Sequence, residues 1–136
     1  MKISVSYSEL SEILLQRYGQ TVRFSFLEER AIEAVVKKRA LIVTLPIPVR
    51  LYVKSVRKSG VMVNYRILAG VDKVVGLALN YLIDRYPDIK PGITVENDSI
   101  DISLSKIKPA NVFVKNFELR DIRFNEAGID IEICVK

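Results

Sequence analysis

Two acids, Asp101 and Asp130, sit in matching Ile-Asp-Ile cores within two similar twelve-residue phrases, "ITVENDSIDISL" (Ile93–Leu104) and "IRFNEAGIDIEI" (Ile122–Ile133). Two carboxylates brought together can divide the work of general acid and general base. Repeated hairpins would leave the same trace without any chemistry. In each phrase an alternating stretch reaches a polar turn and returns as I-D-I. The flanking isoleucines put both acids on the opposite strand face, where water solvates them. Nothing in the sequence sets either acid beside a pocket.

Other catalytic patterns fail on their own terms. "SVRK" (Ser55–Lys58) and "SLSK" (Ser103–Lys106) match S-x-x-K, but that chemistry needs the serine at a helix start with the lysine one turn on. Both lie on or beside stretches that read as strands. The chain has no histidine, which removes Ser-His and Cys-His pairs and His-ligated zinc. It has one cysteine, so no internal disulfide. Cys134 shares a strand face with Asp130 and Glu132, and acidic neighbours disfavour a thiolate. No Gly-rich phosphate loop occurs. The expectation is a protein without catalytic residues, metal or cofactor.

Charge is more informative. The formal net charge is +5, and residues 1–68 hold 12 Lys+Arg against 5 Asp+Glu, whereas residues 69–136 hold 9 against 11. No carboxylate falls between Glu33 and Asp72, an interval with eight cations. Such a run is an electrostatic footprint for phosphate or an anionic surface, or else a solvated positive face.

The elements that must carry these residues can be read from periodicity. At 136 residues and 49% apolar content the chain fits one domain, residues 1–136, with a real core. Tyr7, Leu10, Ile13, Leu14 and Tyr18 recur at helical spacing, Ser6 with Glu9 forms a capping box, and Gly19 suits the left-handed stop. Residues 28–39 read as strand or helix, with strand preferred for the alternation of Ile32, Ala34 and Val36. From Ala40 to Ile67 the β-branched content predicts strands. Pro46 and Pro48, two apart, point their missing amides to one side and mark an edge or a bend.

Sorting faces around Lys58-Ser59-Gly60 favours a three-residue hairpin loop with Gly60 left-handed. That register gathers Arg50, Tyr52, Lys54, Asn64 and Arg66 on one face. Gly70–Tyr86 predicts a second helix, apolar over so wide an arc that several elements must wrap it. A shift of apolar parity at Arg120-Asp121 predicts a β-bulge. The expected fold is therefore α+β: a strongly curved antiparallel sheet wrapping or packed on two helices, residues 7–18 and 70–86.

That order of elements, with the return phrases "GIDIEI" and "SIDISL", resembles the tubular lipid-binding (TULIP) superfamily, in which a curved sheet wraps a long helix. The resemblance implies a lipid or other apolar ligand in a groove lined here by Val74, Ala78 and Leu82. The residues themselves suggest an anionic-surface site at Arg50, Tyr52, Lys54 and Arg66. The resulting expectation is a non-enzymatic binding module for an apolar ligand, an anionic membrane surface, or both. A self-assembling interaction protein is the alternative, with homo-oligomerisation covering the apolar helix. Nucleic-acid binding through the hairpin 49–67 ranks lower, because that face carries one aromatic. The N-terminus lacks the apolar block of an export signal, which points to the cytoplasm.

Overall fold

The computed structural model describes residues 1–40, 43–67, 83–96 and 98–136, apart from the side chains of 38–45. Nine strands appear among them: β1 (Lys2–Ser6), β2 (Thr21–Glu28), β3 (Ala31–Ala40), β4 (Val43–Arg57), β5 (Gly60–Ile67), β6 (Ile93–Val95), β7 (Ser99–Ser103), β8 (Phe117–Phe124) and β9 (Gly128–Val135). They do not form one curved sheet wrapped on two helices. They divide into a three-stranded sheet, β1-β9-β8, and a six-stranded sheet, β2-β3-β4-β5-β7-β6, both antiparallel in every pairing. The expected α+β arrangement is corrected accordingly. The predicted helix over residues 70–86 falls mostly outside the described residues; Ile83 and Asp84 are helical, and the chain turns at Arg85.

Helix α1 (Tyr7–Tyr18) is present with every predicted signal. The Ser6 hydroxyl accepts from the Glu9 amide, the Glu9 carboxylate accepts from the Ser6 amide, and Gly19 is left-handed at φ 65°. The bond from Ser6 holds the Glu9 carboxyl below its ordinary pKa. Tyr7 stacks on Phe24 of β2, and its hydroxyl donates to the Asn125 carbonyl, so α1 bridges β2 and the β8–β9 turn.

The smaller sheet includes a strand that the sequence did not reveal. β1 is five residues with only Ile3 and Val5 as an apolar rhythm, too short to stand out. It pairs with β9, Ile3 opposite Ile131 and Val5 opposite Ile129. Both I-D-I return strands thus become inner strands, β9 between β1 and β8, β7 between β5 and β6. Phe26–Ile32–Leu51–Tyr65 and Phe24–Ala34–Val49–Ile67 form lateral apolar rows in the larger sheet. Ile32, Ala34, Tyr65 and Ile67 are buried there, as are Leu119, Phe124 and Ile133 in the smaller sheet.

The β4–β5 loop has two residues, with Arg57 opposite Gly60. This overturns the three-residue loop. A bulge at Lys54 then shifts the register between Val53 and Ser55, so that Val56 meets Val61 while Val53 meets Val63. Val53 and Val56 are three apart, and only an extra residue lets both join the apolar face. The bulge predicted at Arg120 is present for the same reason, with Leu119 opposite Ile133 and Ile122 opposite Ile131. Pro46 and Pro48 lie where β4 pairs with β3; described pairing to β5 begins only at Val49, so their missing amides interrupt no described ladder.

Gly60 and Gly128 do not supply left-handed turns; Gly19 is the one positive-φ glycine among the described residues. Gly128 matters for close approach: a Cβ there would meet the Val5 carbonyl oxygen and Ser6 Cα, both backbone atoms of β1. We expect Gly128→Ala to lower stability by about 1–3 kcal/mol, as overpacked sites do. Urea unfolding checks this, and an unchanged midpoint would show that β1 does not hold β9 as described.

Candidate functional site

Asp101 and Asp130 do not meet. Asp101 lies on β7 in the six-stranded sheet, its Oδ1 2.7 Å from Arg57 Nη2. Asp130 lies on β9 in the other sheet and accepts from the Ser4 hydroxyl (2.8 Å) and the Asn125 carboxamide (3.1 Å). Each has its own local partner, so no paired-carboxylate site is built. A cleft of about 270 Å³ beside Asp130 is lined by Ser4, Ser6, Glu9 and Asn125. Their polar side-chain atoms bond to one another or to the caps of α1 and the β8–β9 turn.

The polar face of the smaller sheet is likewise internally paired. Arg30 Nη1 donates to Asp121 Oδ1 at 2.6 Å and to the Ile122 carbonyl at 2.9 Å; Arg123 Nε donates to Asp121 Oδ2 at 2.8 Å. Half-buried Cys134 accepts from Arg120 Nε at 3.0 Å. Among the described residues no cluster of three His, Cys, Asp or Glu side chains suits a metal.

The larger sheet differs. Its register sets two lateral rows side by side on the face opposite Ile32 and Tyr65. One row runs Ser25–Glu33–Arg50–Arg66 and the next Ala31–Tyr52–Asn64–Ser99. Arg50 and Arg66 are direct cross-strand partners, and like charges so placed repel. Glu33 relieves only part of this, 3.6 Å from Arg50 Nε. Arg66 has no ion pair among the described residues, and neither Tyr52 nor Asn64 has a side-chain hydrogen bond there.

Of the predicted set, Arg50, Tyr52 and Arg66 are thus brought together, and Lys54 sits at the bulge beside them, exposed. The register adds two cations that were not singled out, exposed Arg23 and Lys37. The alternation of "TVRFSF" carried that information, but only the β2–β3 pairing shows which face it joins. Of the other cations in the basic run, Arg57 turns to Asp101, and Lys58 lies 3.9 Å from Glu118. The apolar groove assigned to Val74, Ala78 and Leu82 lies outside the described residues.

The Asp121 carboxylate accepts from Arg30, Arg123 and the Ile122 amide. Burial opposes its charge, but hydrogen bonds from Arg30, Arg123 and the Ile122 amide, with the Arg30 charge, hold its carboxyl below the ordinary range. A depressed folded pKa stabilises above the unfolded value, and that stability is lost as pH falls through and below about 4. We therefore expect Asp121→Asn to cost about 1–3 kcal/mol at pH 7, with the gap to the wild type closing in acid. Urea unfolding across pH measures it; a gap independent of pH would contradict the assignment.

No family model, curated protein or solved structure matches the chain. The resemblance to tubular lipid-binding domains therefore has no neighbour to test it. Among the described residues no helix is long and apolar enough to cross a membrane.

Proposed function

We propose that this protein is a non-enzymatic binding module that docks on an anionic membrane surface through the polar face of β2 to β5. The observation supporting this most directly is the Arg50–Arg66 cross-strand pair, a like-charge contact with only Glu33 to offset it. Arg23, Lys37 and Lys54 extend positive charge around it. Each basic residue near an anionic leaflet contributes about 1 kcal/mol. Spread, single charges with one aromatic suit a lipid surface better than a single-stranded nucleic acid, whose platforms stack successive bases on several rings.

Lys54→Glu with Arg66→Glu is the informative variant. Arg66→Glu sets a carboxylate opposite Arg50 and so forms a favourable pair, whereas reversing Arg50 would set it against Glu33. We expect at least a tenfold loss of binding to anionic vesicles, no binding of either protein to neutral vesicles, and a nearly unchanged melting temperature. Wild-type protein that ignores anionic vesicles at low salt would contradict the proposal. Tight oligonucleotide binding that weakens steeply with salt would reassign the face to nucleic acid.

Self-association has an independent observation in its favour. β2 is an edge strand of the six-stranded sheet, and Phe26 and Leu27 near its end are 36% and 40% exposed, with Ile13 and Leu15 of α1 at 50% and 52%. No described strand lies beyond β2, and such an edge pairs readily with a second copy. On this reading light scattering at high micromolar concentration gives a dimer mass; a monomer mass would remove it.

A further inference from the structure

We infer that Arg50 and Arg66, with Tyr52 and Asn64 beside them, form a discrete site for a phosphate monoester. The inference rests on the docking face proposed above and names the ligand that its centre takes. The geometry is that of two neighbouring pairs on adjacent strands. Arg50 faces Arg66 and Tyr52 faces Asn64, with the two pairs two residues apart along β4 and β5. Partners within a pair are about 5 Å apart at Cβ, and the rows about 7 Å apart, close enough for four side chains to converge on one small anion.

All four carry donors, two guanidinium forks, a phenol and a carboxamide, and the described protein uses little of that capacity. Arg50 Nε is shielded from water yet has no hydrogen-bond partner; its nearest carboxylate oxygen, on Glu33, is 3.6 Å away. Arg66 is exposed and makes no ion pair among the described residues. The site thus holds two positive charges with one carboxylate to one side, and its charge is balanced by an incoming anion.

A monoester is the better match to that arrangement than a diester. It carries close to two negative charges near neutral pH and three terminal oxygens, so each guanidinium can take a bidentate pair with the two forks sharing an oxygen, and spare lone pairs remain to accept from Tyr52 or Asn64. A diester offers one charge and two free oxygens. The chemistry is the same on a soluble metabolite or on a lipid headgroup, and the experiment has an arm for each.

Glycerol 3-phosphate is titrated against dimethyl phosphate by calorimetry. Vesicles containing phosphatidic acid are compared with vesicles of phosphatidylglycerol at matched surface charge. Expected are saturable binding of glycerol 3-phosphate but not of dimethyl phosphate, and roughly tenfold tighter binding to phosphatidic acid vesicles. Arg66→Lys keeps the charge but loses the fork, so it should abolish the monoester preference, bringing binding to phosphatidic acid vesicles down to the level of phosphatidylglycerol vesicles. Arg50→Gln removes a charge as well as a fork, so it should abolish the monoester preference and also weaken binding to both kinds of vesicle, and melting curves confirm that each variant is folded. Equal binding to the two vesicles, with no glycerol 3-phosphate bound, overturns the monoester site and leaves membrane docking standing. Glycerol 3-phosphate binding lost in Arg66→Lys, with neither vesicle bound, supports the site and overturns docking.

Discussion

Among the described residues two backbone hydrogen bonds join the sheets, and they set where the smaller sheet sits against the larger. Among the described residues the outer edge of β8 has no neighbouring strand; its Leu119 amide donates to the Lys58 carbonyl at 2.7 Å and its Phe124 amide to the Glu29 carbonyl at 2.8 Å. The ends of two hairpins therefore satisfy a strand edge that would otherwise be open to another chain. Arg30 reinforces the joint from the same turn: its side chain binds Asp121 and the Ile122 carbonyl, while its own carbonyl accepts from the Val53 amide. A two-residue turn thus contacts β8 on one side and β4 on the other. The β2–β3 and β4–β5 hairpins, already joined by the β3–β4 ladder, thus both anchor their turns on one strand of the smaller sheet.

Parity is the second constraint, and both bulges serve it. Strand side chains alternate, so apolar residues three apart cannot face the same core without an inserted residue. Lys54 does this for Val53 and Val56, Arg120 for Leu119 and Ile122. In both cases the inserted residue is a long cation that reaches solvent easily. The bulge at Lys54 has a further effect. A two-residue β4–β5 turn alone would scramble the faces of that hairpin; with the bulge, Arg50, Tyr52, Asn64 and Arg66 share one.

Local signals in the sequence were therefore reliable where the physics is local. The capping box at Ser6 and Glu9, the stop at Gly19, the bulge at Arg120 and the two I-D-I hairpins all depend on residues within a few positions of one another. The assembly was not legible. Nothing in "KISVS" says that it pairs with a strand 126 residues away, yet that pairing adds a third strand to the β8–β9 hairpin. The β4–β5 loop was misread because a three-residue loop already sets Val53, Val61, Val63 and Tyr65 on one face and leaves Val56 on the other, whereas the two-residue loop with its bulge brings Val56 opposite Val61 as well. The cation cluster was partly legible, since Arg50, Tyr52 and Arg66 alternate in step. Its outer members, Arg23 and Lys37, and its counter-charge, Glu33, belong to strands whose partners only the fold assigns.

The central claim is that one face of the six-stranded sheet takes an anion. Backbone amide shifts of ¹⁵N-labelled protein, followed during titration with phosphatidic acid bicelles, test it most directly. The account predicts perturbations centred on Arg50, Tyr52, Asn64 and Arg66, extending to Arg23, Glu33 and Lys37, and absent from the smaller sheet. Perturbations confined to β1, β8 and β9, or none at all at low salt, would contradict it.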